Sequence, residues 1–367
     1  MNMMTAVEDV AESLPAHDPV ADADHHLPLE SSHPCYRLMR LGEEAMTQRQ
    51  YERAYEMFTA AARADAGSGR FTRKINRAMR ALVPRWHFKM MHDTERSHAY
   101  AQAIEQVVGP GQLVLDIGSG SGLLSMLAAR AGADQVVACE GVGMVASGAR
   151  EVVKANGYSD RITIISGPST SLRVGSDLPR KADVLVTEIF DCALLGEFAL
   201  PALRHARQEL LSPDAVVLPR SGRLYAQLVE SSELRSMNHI GEIEGFDFSP
   251  FTSLASLEYF STNLRNYRHR VLTPPVELFH FDFGSDIRPE QQIVEVAPQE
   301  SGKVHAVVMW FELDLAPGIT LSNNPATSSL HWKQAVQTFR EPWECRSGEP
   351  LRLRATHDME SVLVSSF

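Results

Sequence analysis

Hydrophobic and polar positions change their period twice along the chain, and the changes divide it into parts. Residues 1 to 34 are rich in Asp, Ala, His and Pro, a composition expected to stay disordered. From Cys35 the apolar positions take helical spacing: Leu38, Leu41 and Ala45, then Ala54, Phe58 and Ala61. Gly42 would let the second helix come close to the first. This is the pattern of a tetratricopeptide-like helix-turn-helix, although a plain helical hairpin fits the same residues. A helical stretch over 71–82 would cap the unit before Pro84 stops the run. One such unit cannot bury its own face, so residues 35–83 are predicted to form a small module docked on its neighbour.

Between 84 and 219 short, wholly apolar runs alternate with helical patterns. Strands are predicted at 113–117, 136–140, 162–165 and 182–188, with helices at 122–131 and 144–156. Strands separated by helices imply a parallel, doubly wound, Rossmann-like sheet. Beyond 219 short strand candidates follow one another at 223–229, 276–283, 292–296, 304–315, 335–339 and 351–356. These predict an antiparallel β-barrel or sandwich over 220–367, interrupted by a helix-like insertion at 233–267.

Charge narrows the partners. The net charge of −11, with no basic block or stripe, argues against nucleic acid. No apolar run reaches the roughly 18 to 20 residues that cross a bilayer, so no membrane partner is expected. Four scattered cysteines lack metal spacing, and the first residues lack a basic-then-apolar signal, so a reducing, cytoplasmic setting is expected. Only six of the 35 basic residues are lysines, a bias that fits a GC-rich bacterial genome.

Two motifs carry chemistry. In the first, the strand 113–117 ends in Asp116-Ile117-Gly118-Ser119-Gly120-Ser121-Gly122, where glycines let the backbone approach a ligand. Glu140 follows at the end of the next strand, placed to accept hydrogen bonds from ribose hydroxyls. Dinucleotide sites use G-x-G-x-x-G, whereas this turn reads G-x-G-x-G. An acid two residues before the first glycine is typical of S-adenosylmethionine sites. In the second motif the strand ending near Glu188 opens into a loop that returns Glu197 nine positions later. Two carboxylates converging on one pocket repel unless a cation lies between them or one is protonated. A planar, forked guanidinium suits that gap.

Together these residues resemble the protein arginine methyltransferase family. The resemblance covers roughly residues 84–367 and rests on the V-L-D-x-G-x-G-x-G run, the acidic strand end and the double-glutamate loop. Leu330-His331-Trp332-Lys333-Gln334 is similar to the family's Thr-His-Trp loop, with Leu330 in the threonine's place. The resemblance implies an S-adenosylmethionine-binding methyltransferase domain at 84–219, followed by a β-barrel domain at 220–367. The insertion at 233–267 is then a dimerisation arm that packs on a partner's cofactor domain, and a homodimer is expected.

Carried over by position, His87 and Arg96 would hold the methionine part of S-adenosylmethionine, Arg96 pairing with its carboxylate. Asp116, Gly118 and Gly120 would line the turn, Glu140 would hold the ribose, and Ser169 would lie near adenine. That last segment, Gly167-Pro168-Ser169-Thr170, lacks the family's usual glutamate. Glu188 and Glu197 would clamp the guanidinium, with Met90, Phe190 and Trp332 as further substrate contacts. Asp93 and His331 would pair across the two domains and share in catalysis. No metal is required, because the methyl group leaves an activated sulfonium.

The start of the loop, Glu188-Ile189-Phe190-Asp191, looks like that of monomethylating members. Phe190 and Asp191 are expected to narrow the pocket and favour a single transfer. The chain looks similar to bacterial enzymes of natural-product pathways that methylate free L-arginine, which makes free arginine the expected substrate. Protein arginine presents the same guanidinium and remains the alternative. A non-catalytic interaction protein on the same fold is a second alternative.

Overall fold

The structure, a computed structural model, describes residues 34–65, 69–326 and 330–367. The tail expected over 1–34 lies outside the described residues apart from Pro34. Helices α1 (Pro34–Thr47), α2 (Tyr51–Ala64) and α3 (Thr72–Leu82) form the N-terminal module. The module has its own small cores, one around Ala45, Ala54, Phe58 and Ala78, the other around Cys35, Ala61 and Phe71. Gly42 is required where the helices cross, since a Cβ there would stand 2.5 Å from the Phe58 ring. Glu52 of α2 reaches the next domain and accepts a 2.5 Å hydrogen bond from the Gly143 N–H.

The helices α4 (Trp86–Met91) and α5 (Thr94–Val107) lead into the doubly wound domain. Its elements are β1 (Leu113–Ile117), α6 (Leu123–Ala131), β2 (Gln135–Glu140), α7 (Gly143–Ala155), β3 (Ile162–Ser166), β4 (Ala182–Thr187), α8 (Ala199–His205) and β5 (Leu211–Leu218). The five strands are all parallel, in the order β3-β2-β1-β4-β5. β1 is buried at every residue because it lies mid-sheet with neighbours on both sides. β5 was not expected, because Pro213 and Asp214 interrupt its apolar run; pairing with β4 supplies the order that the local pattern lacks.

The remaining chain is antiparallel: β6 (Ser221–Glu230), then α9 (Ser232–Ser236), β7 (Glu242–Ile243), β8 (Phe246–Asp247), β9 (Phe260–Thr262), β10 (Arg270–Val271), β11 (Val276–Asp282), β12 (Glu290–Val296), β13 (Gly302–Ala316), β14 (Ile319–Ser322), β15 (Gln334–Cys345), β16 (Leu351–His357) and β17 (Val362–Ser366). The 15-residue β13 pairs with both β6 and β15 and forms the centre of a barrel-like, seven-stranded sheet. β12, β16 and β17 make a second, three-stranded sheet. The insertion after β6 is less helical than expected. It holds the five-residue α9, the β7–β8 hairpin and a 3-10 turn over Ser249–Leu254, because Gly245 (φ +81°) and Pro250 break the helical spacing. Among the described residues no helix is long and apolar enough to cross a membrane.

Candidate active site

The site opens at the carboxyl ends of β1, β2 and β4, where ligands bind in doubly wound sheets. β1 runs straight into the glycine turn, with φ of +74°, +51° and +82° at Gly118, Gly120 and Gly122. At Gly118 space also forbids a side chain, since a Cβ would collide with Cγ2 of Ile189. Glu140 ends β2 and accepts N–H groups from Gly120 (3.0 Å, at Oε2) and Val142 (2.9 Å, at Oε1). The backbone thus pins both oxygens at the strand end. Asp116 is buried and accepts the Ser125 hydroxyl at 2.5 Å, while its Oδ1 has no partner. Burial, with the charges of Glu140 and Glu188 adding and Ser125 opposing, pushes its carboxyl up to about 7.

His87 approaches from α4, its Nδ1 3.1 Å from the Pro84 carbonyl oxygen and its ring stacked on Trp86. Burial keeps it below the ordinary histidine range, against the pull of Glu140. Ser169 lies buried in a 3-10 turn after β3.

β4 ends at Thr187, which is tied on two sides. Its hydroxyl donates to the Ile117 carbonyl (2.8 Å), and its own carbonyl accepts the Tyr100 hydroxyl (3.1 Å). The next residue, Glu188, is ion-paired with Arg96 of α5, the side chains only 6% and 4% exposed. Arg96 keeps a second edge in reserve: its buried Nε has no partner. The loop then passes through three left-handed residues that are not glycine, Leu194 (φ +72°), Glu197 (φ +59°) and Phe198 (φ +64°). Each such residue costs about 1–2 kcal/mol, so the surroundings must hold the loop in shape.

Asp191 and the barrel do the holding. Asp191 accepts the Ala193 N–H (2.9 Å) and the Tyr259 hydroxyl (2.7 Å). The Trp332 ring N–H donates to the Phe190 carbonyl (2.9 Å), and the Asn323 amide donates to the Cys192 carbonyl (3.1 Å). Glu197 reaches solvent as a residue, yet its carboxyl end is crowded by protein. Burial and the neighbouring charges of Glu188, Asp191 and Glu140 push it up to about 8. Solvent contact on its outer side works the other way.

Asp93 joins the two domains. Its Oδ1 caps α5 at the Arg96 N–H (2.9 Å), while Oδ2 receives both the backbone N–H (2.8 Å) and Nδ1 (2.9 Å) of His331. Burial acts upward on the Asp93 carboxyl, but these hydrogen bonds outweigh it and hold the group below its usual range.

Comparison with known proteins decides the family. An arginine N(omega)-methyltransferase of Streptomyces achromogenes subsp. streptozoticus is 45% identical over 276 residues, which are 75% of this chain and 76% of that protein. The chain belongs to the arginine methyltransferase family. The arginine methyltransferase oligomerization subdomain matches residues 220–362, and the ribosomal protein L11 methyltransferase family matches residues 92–209. Protein arginine N-methyltransferase 7 of Drosophila melanogaster is 35% identical over 319 residues, 74% of this chain but 46% of that protein. The chain thus spans about half the length of its fly relatives. Among solved structures it resembles the Trypanosoma brucei PRMT1 enzyme–prozyme heterotetrameric complex with AdoHcy, with a TM-score of 0.65 and 28% identity over 74% of this chain and 86% of that one. Arabidopsis thaliana protein arginine methyltransferase 10 shares the fold, with a TM-score of 0.59 and 22% identity over 73% of this chain and 86% of that one.

S-adenosylmethionine, the family's cofactor, fits the residues present. The unpartnered Asp116 Oδ1 and Arg96 Nε are buried polar atoms that lack a mate within the chain, and such atoms point to a ligand. Met90 hangs over the glycine turn, its Cε 4.0 Å from where a Gly120 Cβ would be.

Three expected pocket residues turn elsewhere in this family member. Phe190 does not narrow the pocket; it is 2% exposed and stacks on Phe283, 5.2 Å between centroids, because the barrel core offers an apolar home. Asp191 faces its own loop. Trp332 is buried edge-on to Phe311 and supports the loop from behind. Tyr100, Tyr259 and Asn323 were not singled out from the sequence. Their partners lie 87, 68 and 131 positions away, and no local pattern signals them.

Proposed function

We propose that the protein transfers a methyl group from S-adenosylmethionine to a guanidino nitrogen of free L-arginine, mainly once. What supports the reading is that one short loop carries Glu188 and Glu197, with Glu188 near enough for its charge to act on the Glu197 carboxyl. Arg96 meets one oxygen of Glu188, and the remaining carboxylate oxygens suit the forked donors of a second guanidinium. When bound, S-adenosylmethionine supplies an electrophilic methyl on a sulfonium. Arg96 through its free edge, Asp116, Glu140 and His87 would hold it, with Ser169 near adenine.

Glu188 and Glu197 grip opposite edges of the guanidinium and draw its positive charge away from the attacked nitrogen, where a lone pair is needed. Charge grows on that nitrogen as the bond forms, so fixed carboxylates favour the transition state over the ground state. Glu197, already disposed to hold a proton, accepts the one released. Asp93 fixes His331 beside the clamp and so sets its wall. The loop is tied to the barrel at Phe190, Asp191 and Cys192, which denies it the give that a bulkier methylguanidine needs and supports monomethylation.

Free arginine is supported by the name of the Streptomyces relative, an arginine rather than a protein arginine methyltransferase, and by a lysine-poor composition that fits a GC-rich bacterial genome. A protein substrate is supported by the fly relatives, which are protein arginine methyltransferases by name. A cytoplasmic location fits four buried cysteines that form no disulfide among the described residues. The helical module is read as tetratricopeptide-like. A homodimer is supported by the match to the oligomerization subdomain and by the exposed apolar arm.

The test is to incubate purified protein and donor with L-arginine or with an arginine-rich peptide, reading products by mass spectrometry. Monomethylarginine from the free amino acid is expected. Transfer to peptide alone would reverse the substrate assignment, abundant dimethylarginine would remove the single-transfer reading, and no transfer to either would indicate an idle fold. Glu188→Gln should lower turnover at least about 10²-fold, the loss associated with one preorganised electrostatic contact. Near wild-type turnover in that variant would end the clamp reading.

A further inference from the structure

We propose that Tyr259 is a positioning residue for methyl transfer: through Asp191 it fixes the shape of the loop that carries Glu188 and Glu197. This rests on the clamp reading above. The Tyr259 hydroxyl donates to Asp191 Oδ2 at 2.7 Å, and the tyrosine is 8% exposed. Oδ1 of the same carboxylate accepts the Ala193 N–H at 2.9 Å, and the Leu195 and Gly196 N–H groups also bond to Asp191. Gly196 has no room for a side chain, because a Cβ would lie 2.5 Å from the Asp191 carboxylate carbon. Residues 191–196 are therefore wrapped around one buried anion, and the wrap delivers Glu197 in its left-handed conformation (φ +59°).

The carboxylate at the centre of the wrap is fastened from outside by the tyrosine hydroxyl, beside the Asn323 amide on the Cys192 carbonyl. Tyr259 directly precedes β9, which pairs with β15, and β15 begins just after the His331-Trp332 segment. It also stands at the root of the arm insertion. The hydroxyl therefore links the arm's return strand to the loop between the two clamping glutamates. Without that donor Asp191 would keep a buried charge with fewer hydrogen bonds, among neighbours that include Glu197, the Cys192 thiol and the Tyr259 ring. The loop would then relax away from the geometry that places Glu197.

Tyr259→Phe keeps the ring and removes the donor. The variant should lose about tenfold or more in kcat/KM for arginine, the scale of a misplaced catalytic group. Its affinity for S-adenosylhomocysteine, read by calorimetry, should stay within about twofold, and that affinity also reports correct folding. Asp191→Ala removes the acceptor and cuts the same connection, so the double variant should be little worse than Asp191→Ala alone. The proposal is overturned if Tyr259→Phe keeps kcat/KM within about twofold, if the two losses simply multiply, or if S-adenosylhomocysteine affinity falls in step with turnover. Glu197→Gln run in parallel separates the two readings. If it retains turnover, the clamp itself fails; if it loses turnover while Tyr259→Phe does not, only the positioning role fails.

Discussion

Glu197 sits in a field that opposes its own charge, and this fixes how the enzyme should respond to pH. In the free protein, burial and the charges of Glu188, Asp191 and Glu140 raise its carboxyl above the usual carboxylate range, which favours its protonated form. Only the carboxylate form can grip a guanidinium. At saturating cofactor, kcat/KM for arginine should therefore rise with pH, about tenfold per unit well below the transition and flat above it. A bound cation reverses the displacement, so arginine binding near pH 7 should release a proton, seen as a buffer-dependent heat in calorimetry. A flat profile between pH 6 and 9 with no proton release would sink this assignment. The same residue affects stability in the opposite sense. A carboxyl raised above its unfolded value of 4.5 binds more protons when folded, so its contribution falls as pH climbs from about 4.5 towards 8. At this scale the sequence shows the spacing of Glu188 and Glu197, because both lie in one short loop. It hides Tyr259 and Asn323, whose roles exist only once β9 and the end of β14 are folded against that loop.

At the scale of elements, the turn after β1 is where the backbone does most for function. Gly118→Ala should cost a left-handed alanine, about 1–2 kcal/mol, and its methyl would also meet Ile189 of the double-glutamate loop. Calorimetry should show S-adenosylhomocysteine affinity reduced by about 10²-fold or more. Gly141→Ala, where a Cβ meets nothing within 4 Å and φ is not left-handed, should leave it nearly unchanged. Equal behaviour of the two variants would show that the turn's shape is not what binds the cofactor. The buried strands β1 to β4 were legible because wholly apolar runs between helical patterns have few other readings. β5 was not, since Pro213 and Asp214 erase its pattern, and neither was the short β7–β8 hairpin in the arm. Phe190 shows the general limit: its position in the loop was readable, but the side to which its ring turns was decided by Phe283, far along the chain.

At the scale of the whole molecule, an anionic protein leaves a strongly apolar projection uncovered. Phe246, Phe251 and Leu254 of the arm are 70%, 60% and 72% exposed, and an exposed apolar patch of that kind marks an interaction site. On the far domain, a groove between α5 and α6 is lined by Ala101, Leu123 and Leu127, with His98 and Arg130 at its edge. An arm from one copy in the groove of another, and the reverse, satisfies both surfaces through a twofold axis. The groove's inner wall is α5, the helix whose first turn carries Arg96 and Asp93, so association would brace the residues that meet the cofactor and Glu188. Two consequences follow, and they can be separated. On the homodimer proposed above, Phe251→Glu combined with Leu254→Glu places charge where burial is needed and should shift micromolar protein from dimer to monomer in sedimentation. Because α5 then loses its brace, the same variant should lose about tenfold or more in kcat/KM, while wild-type specific activity should fall on dilution through the dissociation constant. A variant that sediments as wild type would remove the arm from the interface; one that becomes monomeric with full activity would keep the interface and refute the bracing.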